Sequence, residues 1–467
     1  MPEAPYRFER THEAAGIHQS HGHLEVGAET GVTVSVAGRV MLVRVQGKLA
    51  FARLQDSSGA VQLFCLAAVT EEYERFCRLS LGDWIGATGE VVKTKRGELS
   101  VKVTTWTLLA EARRGFGDKW HGISDVDTRY RQRYVDLWVN EGSRRTFQLR
   151  SRLVSLMRRW LEDRGFVEVE TPVFQLVPGG ALARPFVTHH NALDLDLYLR
   201  IATELHLKRL VVGGFEKVFE IGRTFRNEGL SSRHNPEFTM LEAYQAYADY
   251  GDMMSLTEAL VAHLATELCG TTRISYGGRA LDLTPPWPRA TLTELVEEHA
   301  GAHVDVDVPL EELRRIARGL AVHVEDGWGP GKLVLEIYEK TTEAELWGPV
   351  LVCDYPQEVS PLARPHRSRP GLVERFEALV AGRELANAFS ELIDPDDQRA
   401  RFEDQARAKA RGDDEAMAVD EDYLRALEYG LPPTGGLGVG VDRLVMLLAD
   451  VHHIRDVLLF PTLRPEA

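Results

Sequence analysis

Two patterns in this chain predict an α+β protein of two or three domains. Between Val32 and Leu109, five short glycine-punctuated strands surround one short helix. Beyond Ser143, long runs of helical spacing alternate with strand pairs joined by tight turns. The length agrees, because 467 residues exceed what one ordinary core organises.

Residues 1–31 carry scattered His and Gly without periodicity and are expected to form a short lead-in, frayed or weakly helical. The strand candidates are Val32–Arg44, Ala50–Asp56, Val61–Cys65, Trp84–Lys93 and Leu99–Leu109, with a helix over Glu71–Leu79. Five strands with a helix after the third describe a Greek-key barrel, the OB-fold, over residues 32–112. Such barrels bind single-stranded nucleic acid on their first strands, where Arg44, Lys48, Phe51, Arg53 and Gln62 fall. Phe51 alone suits the barrel core equally well.

Residues 113–142, of mixed charge, read as a hinge, and the arginine run in Thr128–Asp136 is compatible with solvent, a neighbouring domain or RNA. A second domain spans 143–467. Ser143–Arg164 places Leu149, Leu153, Leu156, Met157, Trp160 and Leu161 at helical spacing, and Gly165 stops the helix. A strand from Phe166 to Pro172 follows, and the pair is a candidate dimer element as well as an ordinary surface helix and strand. Residues 251–270 and 291–320 look helical. We expect a helical insertion around 251–345, whose part from 271 onward offers no recognisable chemistry.

Composition narrows the class. An apolar fraction of 44% with 27% charged residues is that of a soluble globular protein. No apolar run approaches the roughly 20 residues that span a bilayer. Cys65, Cys77, Cys269 and Cys353 form no CxxC pair, which suits a reducing cytoplasm and four small buried side chains rather than disulfides or zinc. The net charge of −15 argues against non-specific coating of nucleic acid. Residues 1–120 are nearly balanced, with 15 Lys+Arg against 14 Asp+Glu, so the acidity belongs to the rest of the chain.

Lys217–Tyr250 carries the densest pattern. Alternation puts Glu220, Gly222, Thr224, Arg226 and Glu228 on one face, and after a turn-rich stretch Phe238, Met240, Glu242 and Tyr244 share a face too. This is an antiparallel hairpin whose polar face mixes a guanidinium, carboxylates and rings. A merely solvated face would carry interchangeable Lys, Thr, Glu and Ser. From Glu374 to Leu392, two more strands turn near Ala381-Gly382, with Asn387, Phe389 and Glu391 on one face. Glu384 joins them only through a bulge at Leu385–Asn387. Leu431–Leu448 is a glycine-rich strand feeding a helix, with Arg443 in its first turn. Neither standard nucleotide-binding glycine motif is present.

Two arginines, 226 and 443, suit two phosphates of one triphosphate. Glu377 and Glu384 suit Mg²⁺, which takes a few carboxylates together with phosphate oxygens. Phe238 offers a face to a purine. Glu204, Glu242, Tyr244, Asn387, Phe389 and Glu391 make an acidic, partly aromatic pocket for a small cation. With no Cys/His or Ser/His/Asp arrangement, the chemistry indicated is nucleotidyl transfer, in line at an α-phosphate, by positioning and charge stabilisation.

From about residue 32 onward the chain resembles the class II lysyl-tRNA synthetases of bacterial type. The class motifs are Val169-Glu-Thr-Pro172, then Phe225-Arg-Asn-Glu228 through Arg233-His-Asn-Pro-Glu-Phe238, then Gly435-Gly-Leu-Gly-Val-Gly-Val-Asp-Arg443. More specific to the lysyl enzymes are Pro178-Gly-Gly-Ala181, Ala183-Arg-Pro-Phe186, Thr188–Asp194, Gly412–Met417 and Gly430-Leu-Pro-Pro-Thr434. The resemblance implies a class II catalytic domain, an antiparallel sheet flanked by helices, over 143–467. It implies a homodimer formed through the first motif, and a ligase that activates L-lysine with ATP and charges tRNA(Lys). Arg226 would then hold the α-phosphate and Arg443 the γ-phosphate. Glu228 and Phe238 would take the adenine, with His234 and Asn235 nearby, and Glu377 and Glu384 would bind Mg²⁺. Gly180, Glu204, Glu242, Tyr244, Asn387, Phe389 and Glu391 would recognise lysine. Phe51, Gln62 and Glu98 would read the anticodon.

This sequence departs from the pattern at Gly222 and Thr224, where Asn is common, at His206 in place of Tyr, and at Ile393 in place of Asn. The N-terminal extension is also short on basic residues. No charged ligand is lost. Three rivals are weaker. A paralogue that lysylates an elongation factor lacks the barrel. Aspartyl and asparaginyl enzymes need a cationic pocket. A non-catalytic RNA-binding relative has no need to keep Arg226, Glu228 and Arg443.

Overall fold

Alternating burial builds the first unit. Strand β2 (Leu49–Gln55) buries Ala50, Ala52 and Leu54, and β3 (Ala60–Leu66) buries Val61, Leu63 and Cys65, so each strand sends every second side chain into one core. In this computed structural model, which describes residues 5–115, 123–412 and 415–466, the two strands belong to a closed barrel. The barrel is completed by β1 (Glu29–Gln46), β4 (Trp84–Lys93) and β5 (Leu99–Ala110), in the order β1-β2-β3-β5-β4. The described part of the lead-in follows the helical alternative. Helix α1 (Ala14–His21) buries Ala14 and Ile17, and the Ala14 amide donates to Asp56 Oδ2 at 2.8 Å. Helix α2 (Tyr73–Phe76) is shorter than expected but follows the third strand.

The chain divides into two compact units, Met1–Arg129 and Tyr130–Ala467. That division falls inside the expected hinge, of which residues 116–122 lie outside the described residues. The short helices α3 (Val126–Arg131) and α4 (Arg133–Val139) follow. Arg133 is fully buried and donates to the carbonyls of Arg455 and Leu459, so this member of the arginine run serves the C-terminal segment.

An eight-stranded, mostly antiparallel sheet organises the second unit. In chain order its strands are β6 (Val167–Glu168), β10 (Lys217–Phe225), β11 (Glu237–Ala246), β14 (Arg289–Thr291), β15 (Val350–Cys353), β16 (Arg375–Leu379), β17 (Glu384–Ser390) and β18 (Thr434–Gly440). They lie in the order β14-β15-β16-β17-β18-β11-β10-β6. Beside it stand a small sheet of β7 (Phe174–Gln175), β8 (Val187–His190) and β9 (Leu195–Leu199), and a hairpin of β12 (Arg273–Tyr276) and β13 (Arg279–Asp282).

The sheet separates two layers. Leu241 and Ala243 of β11 face a core built with α5 (Glu141–Glu162), α7 (Tyr250–Cys269) and α13 (Val441–Leu448). On the other side, Tyr244 and Ala246 join α6 (Glu204–Val212), α11 (Pro395–Ala410) and α12 (Glu421–Glu428). Helices α8 (Leu292–Ala300), α9 (Leu310–Gly319) and α10 (Pro330–Thr341) form a satellite core against β15. The last helix, α14 (Ile454–Val457), closes the chain.

The insertion reading of 251–345 is corrected at its start and again at 289–291. Met253, Met254, Leu260, Val261, Leu264 and Ala265 make α7 part of the central core, and β14 extends the main sheet. The helical stretch 291–320 breaks between Gly301, in a left-handed cap, and Pro309.

Candidate active site

The hairpin forms as its alternation requires. In the β10–β11 ladder, Glu220 opposes Glu242, Gly222 opposes Met240 and Thr224 opposes Phe238. The even-numbered side chains of β11 therefore look onto one side. There they meet Arg226 and Glu228 from the loop after β10 and line a cavity of about 350 Å³. Gly180, Glu204, His234, Asn235, Glu377, Glu384, Asn387, Phe389 and Arg443 line the same cavity. The bulge needed to bring Glu384 in is present. Ala378 pairs with Ala386 but Leu379 with Glu384, so Leu385 is the extra residue.

Buried ties hold the phosphate-type residues. Arg150 on α5 is ion-paired to Asp442 and donates to Thr239 Oγ1 at 2.9 Å, and the Thr239 amide donates to Asp442 at 2.7 Å. Phe238 and Arg443, each next to one of these anchors, are thereby fixed to the same helix. Arg200 is paired to buried Glu220 at 2.5 Å and donates to the carbonyls of Arg223 and Thr171, at 2.7 and 3.1 Å. A Cβ on Gly222 would fall on that guanidinium, so with Arg200 held in place the position suits glycine. Arg443 donates to Glu384, both to its carboxylate at 2.8 Å and to its carbonyl at 2.7 Å. Burial raises the Glu384 carboxyl, but Arg443 outweighs it and the net shift is downward. Burial carries Glu377 up to about 7; Arg375 opposes this and repulsion from Glu384 adds to it. Two carboxylates that repel each other on one wall suit a divalent cation that also takes phosphate oxygens. Among the described residues no group of three or more His, Cys, Asp or Glu offers an all-protein metal site.

Arg226 lies over the Phe238 ring, 5.2 Å from its centroid. Burial lowers this guanidinium from its ordinary value, while Glu228, Glu384 and Glu242 pull it upward and Arg443 pushes it down. Asn235 is buried and donates to the Glu237 carbonyl at 2.6 Å, and His234 pairs with Ser231 Oγ at 3.0 Å.

The acidic residues are deeper. Glu242 accepts from the Thr203 amide at 2.9 Å and from the Tyr244 hydroxyl at 3.3 Å, and burial holds its carboxyl up at about 7. Glu204 is buried, with its carboxyl raised by burial against the pull of Lys208. Asn387 Oδ1 accepts from Arg375 at 3.0 Å, which leaves its amide nitrogen as the donor for a ligand. Glu391 lies deeper than the others. It is fully buried and pairs with Lys208 instead of forming the cavity wall, and a Cβ on Gly436 would collide with its carboxylate.

Sequence reasoning missed Arg375, Lys208, Arg200 and Arg150. Arg375 shares the parity of Glu377, a signal that was available. The others look like ordinary helix or strand charges.

On the barrel, Phe51 faces outward with Arg53, and its ring stacks on Phe64 at 5.2 Å and 11°. Gln62 donates to Ser100 Oγ at 2.8 Å, and Ser100 donates to the carbonyl of exposed Glu98 at 3.2 Å. Phe64 was not anticipated, though it opposes Phe51 in register.

Residues 125–464 match the family model described as tRNA synthetases class II (D, K and N), and residues 34–109 match an OB-fold nucleic acid binding domain. A protein named lysine–tRNA ligase from Prochlorococcus marinus (strain MIT 9313) is 56% identical over 483 residues, covering 100% of this chain and 94% of its own. Proteins of the same name from Parasynechococcus marenigrum (strain WH8102) and Synechococcus sp. (strain CC9311) are each 56% identical. They cover 100% and 99% of this chain, and 95% and 96% of their own.

Proposed function

The chain belongs to the class II tRNA synthetases, among the lysine–tRNA ligases, and on that premise we propose how its residues divide the reaction. In the first step a lysine carboxylate oxygen attacks the α-phosphorus of ATP in line and pyrophosphate leaves. In the second, the 3′-terminal hydroxyl of tRNA(Lys) takes the lysyl group and AMP leaves. Arg226 holds the α-phosphate and the incoming carboxylate together, and Arg443 holds the γ-phosphate. Phe238 supports the adenine, with Glu228, His234 and Asn235 around its edge. Gly180, Glu204, Glu242, Tyr244, Asn387 and Phe389 receive the lysine, with Glu391 behind them. Glu377 and Glu384 would hold Mg²⁺, which when bound neutralises phosphate charge.

One observation carries this reading. Arg226 lines one cavity with Glu242 on one hand and with Glu384 and Arg443 on the other, and so stands between the acidic pocket and the phosphate-type residues. Charge stabilisation at such a junction needs no covalent intermediate with the protein.

Outside the cavity, Phe51, Gln62 and Glu98 read the anticodon by stacking and hydrogen bonding. A homodimer is the assembly this reading includes. Edge strand β6 and the exposed Val167, Phe174, Leu176 and Val187 support it as a surface for a second copy. A reducing cytoplasm suits four free thiols. No helix among the described residues is long and apolar enough to cross a membrane.

Amino-acid-dependent ATP–pyrophosphate exchange over all twenty amino acids tests the assignment. Lysine alone should support exchange; exchange with aspartate or asparagine in its place overturns it.

A further inference from the structure

A buried cation lies behind the acidic wall of the cavity. Lys208 lies one turn after Glu204 on α6 and is fully buried. Its Nζ is 2.5 Å from Glu204 Oε1 and also pairs with the Glu391 carboxylate. The rings of Phe389 and Tyr423 lie 5.5 and 5.9 Å from it. Burial disfavours an ammonium here, but Glu204 and Glu391 outweigh it and Lys208 stays protonated.

The surrounding charges can be taken element by element. Helix α6 supplies Glu204 and Lys208, β11 supplies Glu242 and the Tyr244 phenol, and α12 supplies the Tyr423 phenol. Glu391 follows β17 directly. Arg375 of β16 is paired with Glu377 and bonded to Asn387, and Arg226 is assigned to the carboxylate and phosphate of the substrates. Glu204 and Glu391 pair with one resident ammonium and Glu242 acts on both of them, so three carboxylates and one ammonium leave two negative charges unmatched. The structure records their need: Glu391 Oε1 lacks a hydrogen-bond partner while Oε2 is paired with Lys208, and burial pushes the Glu242 and Glu391 carboxyls upward. A diamino acid brings two ammonium groups, whereas a monoamino acid brings one.

We propose that Lys208 is a specificity-determining residue of the amino-acid pocket. It permanently occupies one cation position among Glu204, Glu242 and Glu391, so that the charge still unmatched equals the two ammonium groups of a diamino acid. The proposal rests on the lysine reading of this cavity. A purely structural lysine would fill space and cap carboxylates without setting how many cations the site takes.

Charge-count variants separate the two. Lysine-dependent pyrophosphate exchange is measured for the full-length wild type, Lys208→Met, Glu391→Gln and the double variant, with KM for lysine and KM for ATP read separately. Lys208→Met should raise KM for lysine about thirtyfold, with KM for ATP within about threefold. Glu391→Gln leaves one unmatched negative charge and should also bind lysine weakly. The double variant restores two, so it should bind lysine about tenfold more tightly than Glu391→Gln alone.

That last comparison is the more robust one where Lys208→Met folds poorly, because the double variant removes the Glu391 charge together with its Lys208 partner and leaves only Glu204 without it. A double variant no better than Glu391→Gln, or losses that simply add, overturns the proposal. A wild type that exchanges with another amino acid instead overturns the lysine reading on which it rests.

Discussion

The cavity of the second unit and the outer face of the barrel are both polar surfaces, but they are built on opposite principles. In the cavity, Glu204 and Glu242 are buried, with Glu391 behind them, and Arg226, Arg375 and Arg443 work against neighbouring carboxylates. On the barrel, Phe51 and Phe64 form a half-exposed stack flanked by Arg53 and Gln62. Charge is worth more where water is excluded, so the cavity can discriminate by counting charges. A solvated face loses that advantage to screening and must recognise its partner by ring area and hydrogen-bond geometry.

The contrast breaks most visibly at Arg226. Arg226→Ala should lower lysine-dependent pyrophosphate exchange about a thousandfold, the scale seen when a preorganised donor to a developing charge is removed. Binding of tRNA(Lys) should stay near the wild-type level, because the barrel face is untouched. A parallel loss in both assays would mean that the two surfaces are not separable in function.

A smaller effect follows from the displaced carboxyl of Glu242. Its folded value of about 7 lies above the ordinary 4.5, so its contribution to the stability of the free protein is fully present below about 4.5 and is lost as the pH rises through 7. Binding of an ammonium runs the other way, because it needs the ionised carboxylate. We therefore expect the lysine affinity to fall up to about tenfold per pH unit below 7, with ATP saturating. Glu242→Gln should flatten that limb while weakening lysine throughout. KM for lysine followed from pH 5.5 to 8 checks this, and a flat wild-type profile removes Glu242 from the ammonium site.

Much of this was legible in the sequence, and where it was not the reasons are physical. The hairpin and its shared face follow from a period of two, and the bulge at Leu385 follows from the parity of Glu384 alone. Lys208 was not legible, since a Glu and a Lys four residues apart on a helix normally form a solvated pair; only the tertiary position of α6 buries it. Glu391 was placed on the correct face by alternation, but its depth behind Gly436 is a packing property with no period. Helix α7 misled for the same reason, because an apolar helix covering a central sheet and one covering an insertion have similar sequences. The lead-in offered only Ala14 and Ile17, too few to reveal a docked helix.

The smallest effects belong to the barrel, where the orientation of Phe51 was undecided until register settled it. Ala50, Ala52 and Leu54 take the inward positions, so Phe51 contributes a ring to the surface and little to the core. Base stacking on an aromatic is worth about 1–3 kcal/mol by alanine substitution, so Phe51→Ala should cut kcat/KM for tRNA(Lys) about thirtyfold. Phe64 supports that ring from 5.2 Å, and Phe64→Ala should cost about fivefold through loss of one aromatic pair. Neither variant should alter pyrophosphate exchange, because a solvated stack has no role in carboxylate activation. Aminoacylation and exchange measured on the same preparations decide the matter. If exchange falls in step with aminoacylation, the barrel face supports folding rather than recognition, and its contrast with the cavity disappears.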